Sequence, residues 1–484
     1  MSSETLIKGL FALVISAGFA WVVFDRDDRE LREEGERQRY LPYIPGSVLP
    51  WVLLALVLLA AAYYGPVMAA ELTFDMLFGV VVHICVYNAL LLFLLPLLRR
   101  RFSARACAAL WMLPNYLYLT MQSFAKVPAP ALVLRVPGKL VWYLLAVWLA
   151  GFLAVLGWKT VAHLVFRRRI LKDAVPVTDP AVLAVWEAEL AEGRFRKPKF
   201  RLVRSPAVTT PLSIGLSQRS TRVVLPVRDY AEDELRLVLR HELVHIGRGD
   251  ADNKFFMLFC TALCWFNPLM WIAMGKSADD LELSCDETVL LDRDEAAKRQ
   301  YAQLLLNTAG DGRGFTTCLS ASAAALRYRM KHVMNPGKKH CGALLVGLVF
   351  FLLFMSCGHV ALAYGDNTGE ALLLRGASEE FSLMSQCVIV DGRMDFNRTV
   401  GDEAALLDYL SGLELCRLTG NFSFPAQAGQ RGYDFTFGTP AGVEVIQLRG
   451  NTAKLIPLHG KRPEVQTYYV PGGIDEACLE SLLK

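Results

Sequence analysis

Five stretches of this chain stay apolar for about 20 residues each, the length an α-helix needs to cross the hydrocarbon of a bilayer. They run from Thr5 to Phe24, Trp51 to Ala70, Met76 to Leu98, Leu140 to Val161 and Gly342 to Tyr364. A weaker stretch, Ala106 to Gln122, carries Pro114 and Asn115. Neighbouring helices can satisfy such groups, and it is counted as a crossing. The first stretch has Lys8 near its start and no small-residue cleavage site before Asp25, so it reads as an anchor rather than a signal peptide. With 54% hydrophobic residues and a mean hydropathy of +0.32, the chain is too apolar for an ordinary soluble protein.

Orientation follows from the basic loops, because Lys and Arg flanking a span stay on the cytoplasmic side. Arg99, Arg100, Arg101 and Arg105 form one cluster and Arg167, Arg168 and Arg169 another. Both lie inside only if two crossings separate them, which Ala106 to Gln122 and Leu140 to Val161 supply. Arg26, Arg29, Arg32, Arg37 and Arg39 then also fall inside, and Gly65 to Phe74, with no basic residue, falls outside with the N-terminus. The expected division is an N-terminal hairpin (1–74), transmembrane helices (75–166), a cytoplasmic block (167–340), a last span (341–364) and an extracytoplasmic tail (365–484). A further apolar stretch, Phe255 to Met274, is interrupted by Asn267 and Pro268. As a full crossing it would put Lys338 and Lys339 outside, so it is read as re-entrant or as a helix packed on the membrane bundle.

The chemistry sits in the cytoplasmic block. Asp233 to Ile246 reads DELRLVLRHELVHI, an acidic start suited to a helix N-terminus followed by good helix formers. His241 and His245 are one turn apart, so both imidazoles leave one face and can share a metal, with Glu242 beside them. This is the HExxH arrangement. Zinc takes neutral histidine nitrogens readily, and a catalytic zinc site has three protein ligands and an open position, with Glu242 as general base. The spacing alone arises by chance in roughly one such chain in a hundred. A second acidic helix strengthens it: Glu282 and Asp286 are four apart on one face, so Glu282 can ligate zinc while Asp286 holds a ligand histidine. Cys285 is read as a packed thiol pointing away from that face. Asp250 either orients a histidine or caps the turn at Gly247 and Gly249. The other histidines, at 83, 163, 332, 340, 359 and 459, read as structural or surface groups. Short β-branched runs at Phe200 to Arg204 and Thr221 to Val227 read as strands, and an edge strand beside the site can pair with an extended substrate.

An ordered series of motifs resembles the BlaR/MecR type of antirepressor membrane zinc metallopeptidase from Gram-positive bacteria. The series is RRRFSARACAALW (99–111), SPAVTTPLSIGL (205–216), VVLPV, ELRLVLRHELVHIGRGD (234–250), WFNPLMW (265–271), ELSCDE (282–287), YAQLLLN (301–307) and YRMKHVMN (328–335). It covers about residues 75–364. The resemblance implies a polytopic α-helical membrane protein with a cytoplasmic α+β zincin-like peptidase domain. It implies one Zn2+ held by His241, His245 and Glu282, with Glu242 as base, in a bacterial plasma membrane. It also implies signal transduction: an extracellular inducer is sensed, and a cytoplasmic DNA-binding repressor is cleaved, with self-cleavage alongside. It leaves room for a homodimer. A housekeeping protease similar to HtpX, and a receptor whose zinc is only a staple, are the alternatives.

Two departures stand out. The hairpin of residues 5–70 is additional to the family's four-helix arrangement. The tail is about half the length of a penicillin-binding sensor and carries Ser481-Leu-Leu-Lys484 at its very end and no KTG, so β-lactam acylation is rejected. The tail instead has strand-like runs at Cys387 to Val390, Tyr433 to Phe437, Val443 to Leu448 and Thr467 to Val470, and helix-like runs at Asp402 to Leu410 and Ile474 to Leu483. It is expected to be a small extracytoplasmic α+β domain of unknown ligand. One disulfide among Cys387, Cys416 and Cys478 is compatible with that compartment. The net charge of +4 and the lack of a basic stretch interleaved with aromatics exclude nucleic acid as a direct partner.

Overall fold

A computed structural model of the chain describes residues 3–31, 46–116, 130–193, 195, 198–217, 219–291, 293–307, 317–318, 323–334, 340, 342–356, 359–390, 393–419, 431–458 and 465–483. Two bodies, each built on its own sheet, sit at opposite ends of a set of long apolar helices. The helices that open the chain are α1 (Ser3–Leu31), α2 (Leu49–Tyr64), α3 (Pro66–Arg101) and α4 (Ala104–Met112). Strand β1 (Leu132–Val136) and α5 (Leu140–Leu171) follow.

Helices α3 and α5 are long and apolar enough to cross a membrane, with 36 and 32 residues, roughly 54 and 48 Å of helix. Several expected boundaries move. Residues 66–74 are the first turns of α3 rather than a loop, since Gly65, at φ +87, reverses the chain in a single residue before Pro66. The stretch at 106–122 is an α-helix only to Met112, with a 3-10 turn at Leu113–Tyr116. Pro114 has no N–H to continue the ladder, and nine residues cover only about 14 Å. Residues 117–122 lie outside the described residues.

The first body contains β2 (Val175–Pro176), α6 (Pro180–Glu192), β3 (Arg201–Arg204), β4 (Leu212–Ile214) and β5 (Arg222–Leu225). It continues with α7 (Glu232–Arg248), α8 (Asp250–Leu263), α9 (Pro268–Val289), α10 (Glu295–Asn307), β6 (Thr317–Cys318) and α11 (Ala323–Met334). Its sheet has the order β2-β3-β5-β4-β6. The run at 221–227 is therefore the central strand β5, with β3 parallel on one side and β4 antiparallel on the other. It offers no open edge to a substrate. Trp186, Phe200, Val223, Leu239, Leu243, Tyr301 and Leu305 share one core between sheet and helices.

Helices α8 and α9 form a hairpin that inserts between α3 and α5. Asn267 caps α9 by accepting from the Leu269 N–H at 3.0 Å. At the tip, Trp148 Nε1 donates to Leu263 O (2.7 Å) and Trp265 Nε1 donates to Trp148 O (3.1 Å). Trp271 Nε1 donates to Trp265 O at 3.0 Å. The bonds to Leu263 O and Trp265 O satisfy carbonyls freed between the two helices, which an apolar setting demands, while the bond to Trp148 O ties the tip to the interior of α5. Gly151 of α5 is required there, because a Cβ would lie 2.1 Å from the Trp265 ring.

The last apolar helix is α12 (Ala343–Ser356), after which β7 (Val360–Thr368) begins. The expected span to Tyr364 is thus too long: residues 360–364 pair as strand, parallel with β1 and antiparallel with the strand Glu414–Leu418. Fourteen residues cover about 21 Å. Lys8 of α1 donates to Met355 O at 3.2 Å, and Gly347 of α12 sits against Ser16 and Ala20. The two helices therefore run antiparallel.

The second body is a nine-stranded sheet into which β1 is built at one edge next to β7. The strand-like runs of the tail lie in Ser382–Val390, Arg431–Thr439, Gly442–Arg449 and Gln466–Tyr469, and the helix-like runs in Glu403–Gly412 and Glu476–Leu482. Cys387, Cys416 and Cys478 are free thiols. They stand on three separate elements, and no disulfide joins them.

Candidate metal centre

Helix α7 places its histidines through ordinary helix physics. Glu232, Asp233 and Glu234 in the first turn complement the macrodipole, and Leu235, Val238, Leu239, Leu243 and Val244 seat the helix in the core. His241, Glu242 and His245 are all buried. Gly249 ends α7 in the left-handed region at φ +71, where a residue without Cβ is favoured. That turn lets Asp250 reach back, and its Oδ2 lies 2.7 Å from His245 Nδ1. Of the two roles open for Asp250, orientation of a histidine is the one its contact supports.

His241 is held by a longer relay. Tyr301 donates its hydroxyl proton to Asp286 Oδ1 at 2.7 Å, and the Tyr301 hydroxyl oxygen stands 2.8 Å from His241 Nδ1. Arg329 fixes Asp286 with bonds from Nε to Oδ2 (2.8 Å) and from Nη2 to Oδ1 (2.6 Å). A hydroxyl has one proton, so with that proton on Asp286 the Tyr301 oxygen accepts from His241 Nδ1–H. Asp286 itself is 3.8 Å from His241 Nδ1. It therefore supports the histidine through Tyr301 rather than by direct contact. Neither Tyr301 nor Arg329 had been singled out in the sequence.

With both Nδ1 atoms engaged as donors, each Nε2 is left to present a lone pair. The two Nε2 atoms face one another at 3.0 Å. Glu282 Oε2 lies 3.7 Å from one and 3.6 Å from the other and is ion-paired with Arg329 Nη1 at 3.4 Å, although, buried, it makes no hydrogen bond among the described residues. Three lone-pair donors converging in a dry pocket are a poor arrangement without a cation, and two imidazoles with one carboxylate are a donor set suited to zinc. The residues present fit a metal ion.

Electrostatics agree with that reading. Burial alone would drive His241 toward neutrality, yet Cys285 and Glu282 beside it hold it up to about 9. His245 is likewise raised, against burial, by Cys285, Glu282 and Asp250. Burial opposes ionisation of Glu282, but Lys254 and the histidines hold its carboxyl well below the usual carboxylate range. Lys254 Nζ donates to Glu282 Oε1 at 3.1 Å. A pocket that holds protons so firmly is one that attracts cations.

One expectation fails. Cys285 does not point away from the site: its Sγ lies 3.4 Å from His241 Nδ1 and 3.5 Å from His241 O. Residues three apart on a helix are neighbours, so Cys285 stands beside Glu282. His241, His245 and Cys285 also form a buried group whose donor atoms are all within 4.8 Å of one another. The shortest thiol contact, however, is on the Nδ1 edge of His241, away from the facing Nε2 atoms, and Tyr301 occupies that edge. Glu282 and Cys285 thus both stand beside the histidine pair.

Among the described residues, the other histidines take no part. His332 pairs with Glu287 at 2.8 Å and His83 bonds Gly79 O at 3.1 Å; His459 lies outside the described residues. Strand β4, which packs against α7, has its free side covered by Thr317–Cys318 of the same chain.

This combination of apolar helices with a buried HExxH centre defines a class, and the comparisons agree. Residues 120–333 match the family described as BlaR1 peptidase M56, so this part of the chain is similar to the BlaR/MecR type of membrane metallopeptidase. It is 29% identical over 190 residues to the regulatory protein BlaR1 of Bacillus licheniformis, a stretch that is 39% of this chain and 31% of that protein. It is also 29% identical over 101 residues to the methicillin resistance mecR1 protein of Staphylococcus aureus and of Staphylococcus epidermidis, 20% of this chain and 17% of each relative. The chain thus spans less than a third of the length of the curated relatives it matches.

Proposed function

We propose that this chain is a zinc endopeptidase and signal transducer of a bacterial plasma membrane, which cleaves a cytoplasmic protein when an extracellular cue is sensed. The observation that carries it is the pair of Nε2 atoms held 3.0 Å apart beside Glu282, next to a buried Glu242. His241, His245 and Glu282 would hold the zinc, which supplies Lewis-acid polarisation of a peptide carbonyl and a more acidic water. Glu242 takes the proton of the attacking water and passes it to the departing amine. Asp250 and Tyr301 keep the two imidazoles in the ligating tautomer, and Asp286 with Arg329 keeps Tyr301 in place.

The orientation drawn from the basic clusters is supported by how the chain is joined. β1, in the loop 130–139 assigned to the outside, pairs with β7, whose last residues, 365–368, begin the tail assigned to the outside. Arg99 and Arg167, assigned to the inside, contact the metallopeptidase body at Asp280 and Ser220 O. The tip of α8–α9 is then re-entrant, meeting the middle of α5. A DNA-binding repressor is the substrate class that the family resemblance favours. Among the described residues, Thr317–Cys318, paired with β4, is a candidate stretch for self-cleavage.

A second reading has one observation in its favour. The His241, His245 and Cys285 group suits a zinc that only staples the domain. The test is zinc content alongside cleavage of the chain itself or of a cytoplasmic repressor, comparing detergent-purified wild type with Glu242→Gln. About one zinc in both proteins with cleavage in wild type alone is the expected result. Absence of zinc from wild type overturns the reading, and a Glu242→Gln protein that signals normally establishes the staple.

A further inference from the structure

A cavity of about 730 Å³ opens where α3 and α5 meet the nine-stranded sheet, well away from the metal centre. This is within the roughly 300–1,000 Å³ of small-molecule sites. Its chemistry is carried by six residues: Glu71 of α3, Lys139 and Trp142 at the start of α5, Tyr364 and Asp366 of β7, and Arg417 of the strand Glu414–Leu418. The apolar side is aromatic, with Trp142 and Tyr364 edge to face at 6.4 Å between ring centroids.

The charges on the wall are unequally engaged. Glu71 is ion-paired with Arg417 across the cavity. Asp366 accepts from the Gly138 N–H at 2.8 Å and pairs with Arg135 at 3.4 Å. Lys139, which is exposed, makes no ion pair among the described residues. A cationic ligand would find both carboxylates already taken and an ammonium beside it. An acid finds a partner. The apolar side meanwhile sits at the end of two helices that read as membrane spans, with Tyr63, Tyr64, Trp142 and Tyr143 at that level, where interfacial aromatics gather.

We propose that this cavity binds an anionic amphiphile, with its acidic head on Lys139 and its apolar body against Trp142 and Tyr364. The same chemistry is offered by an acidic membrane lipid and by a free amphiphile arriving from outside. The site stands independently of whether the metal centre cleaves. Because Glu71 and Arg99 lie on the same helix, α3, a ligand there contacts an element that also reaches the metallopeptidase body.

The test uses the full chain in nanodiscs of phosphatidylcholine. Laurate and dodecyltrimethylammonium are titrated separately and retention is read by native mass spectrometry, then phosphatidylglycerol is added to the discs. Lys139→Glu removes the head-group contact, and Ala70→Trp, at an exposed position on the cavity wall, fills the space; zinc content reports that each variant is folded. Wild type should retain laurate or phosphatidylglycerol about tenfold better than either variant, the effect of one charge-assisted contact, and should not retain the ammonium. Retention of laurate identifies a free amphiphile, and retention of phosphatidylglycerol alone identifies a lipid. Equal retention by wild type and both folded variants, or retention of neither acid, overturns the proposal.

Discussion

Arg99, at the end of α3, donates from Nε to Asp280 Oδ1 at 2.7 Å, and Asp280 stands two residues before Glu282 on α9. Trp111 of α4 donates to the other oxygen of Asp280 at 2.8 Å, and Glu287 of α9 accepts from the first N–H of α4 at 2.8 Å. One helix therefore carries both the metal-facing carboxylate and the grip on the membrane helices. Arg99→Met should destabilise the protein by about 3–5 kcal/mol, because it leaves a buried carboxylate short of its partner. Arg99→Met with Asp280→Leu should cost less than Asp280→Leu alone plus Arg99→Met alone. Denaturation midpoints for the four proteins of the cycle check this, and simple additivity would show that the pair is not coupled.

Tyr301→Phe should keep the fold and weaken zinc by about 10- to 100-fold, the usual effect of losing a group that orients a ligand histidine. Competition with a chromophoric chelator measures it. Asp250→Asn should act in the same direction through His245. Unchanged affinity in both would mean that the two Nδ1 contacts do not set the tautomers.

The choice of third ligand divides two substitutions. Glu282→Gln should lose most of its zinc, while Cys285→Ser should retain about one ion per chain, by elemental analysis of purified protein. The reverse pattern would make the thiol the ligand and move the site toward a structural role.

Gly151→Leu should unseat the hairpin tip, since a Cβ there already meets Trp265 at 2.1 Å. Gly157, six residues on in α5, has nothing within 4 Å of its would-be Cβ, so Gly157→Leu is the matched control. A drop of about 1–3 kcal/mol for the first and little for the second is expected from thermal unfolding in one detergent. Equal effects would remove the tip from its place against α5.

The parts of the centre legible in the sequence are those with a local period. His241, Glu242 and His245 declare themselves by helical spacing, and Glu282 by its place in a second acidic helix. The same periodicity was misapplied at Cys285, which lies 60° from Glu282 around the helix rather than behind it. Tyr301 and Arg329 were hidden because they sit on two later helices and meet Asp286 only in the tertiary fold. Their signal was present all the same. Arg329 falls between Leu326 and Val333 on an apolar face, and a buried arginine there requires a carboxylate. The tail's strands were readable where alternation was strong. Strand β1 was not, because five residues before a long helix give no hint of a partner 228 residues further along the chain. The end of α12 was misplaced for a related reason: Val360 to Tyr364 is as apolar as a membrane helix, and only its pairing makes it a strand.

That pairing changes what can be done with the tail. A sensor joined by a flexible tether could be clipped off or exchanged for another, leaving the membrane part as it was. Here the seam runs through five residues of β1 matched one to one with Val360–Tyr364, and a second stitch joins Glu71 to Arg417. Cutting at residue 365 would leave β7 half-length and strip away the strand on its other side, baring an adhesive ladder of amides. The tail is a graft, with its host's chain woven into it, and any chimera must carry residues 130–138 across with it.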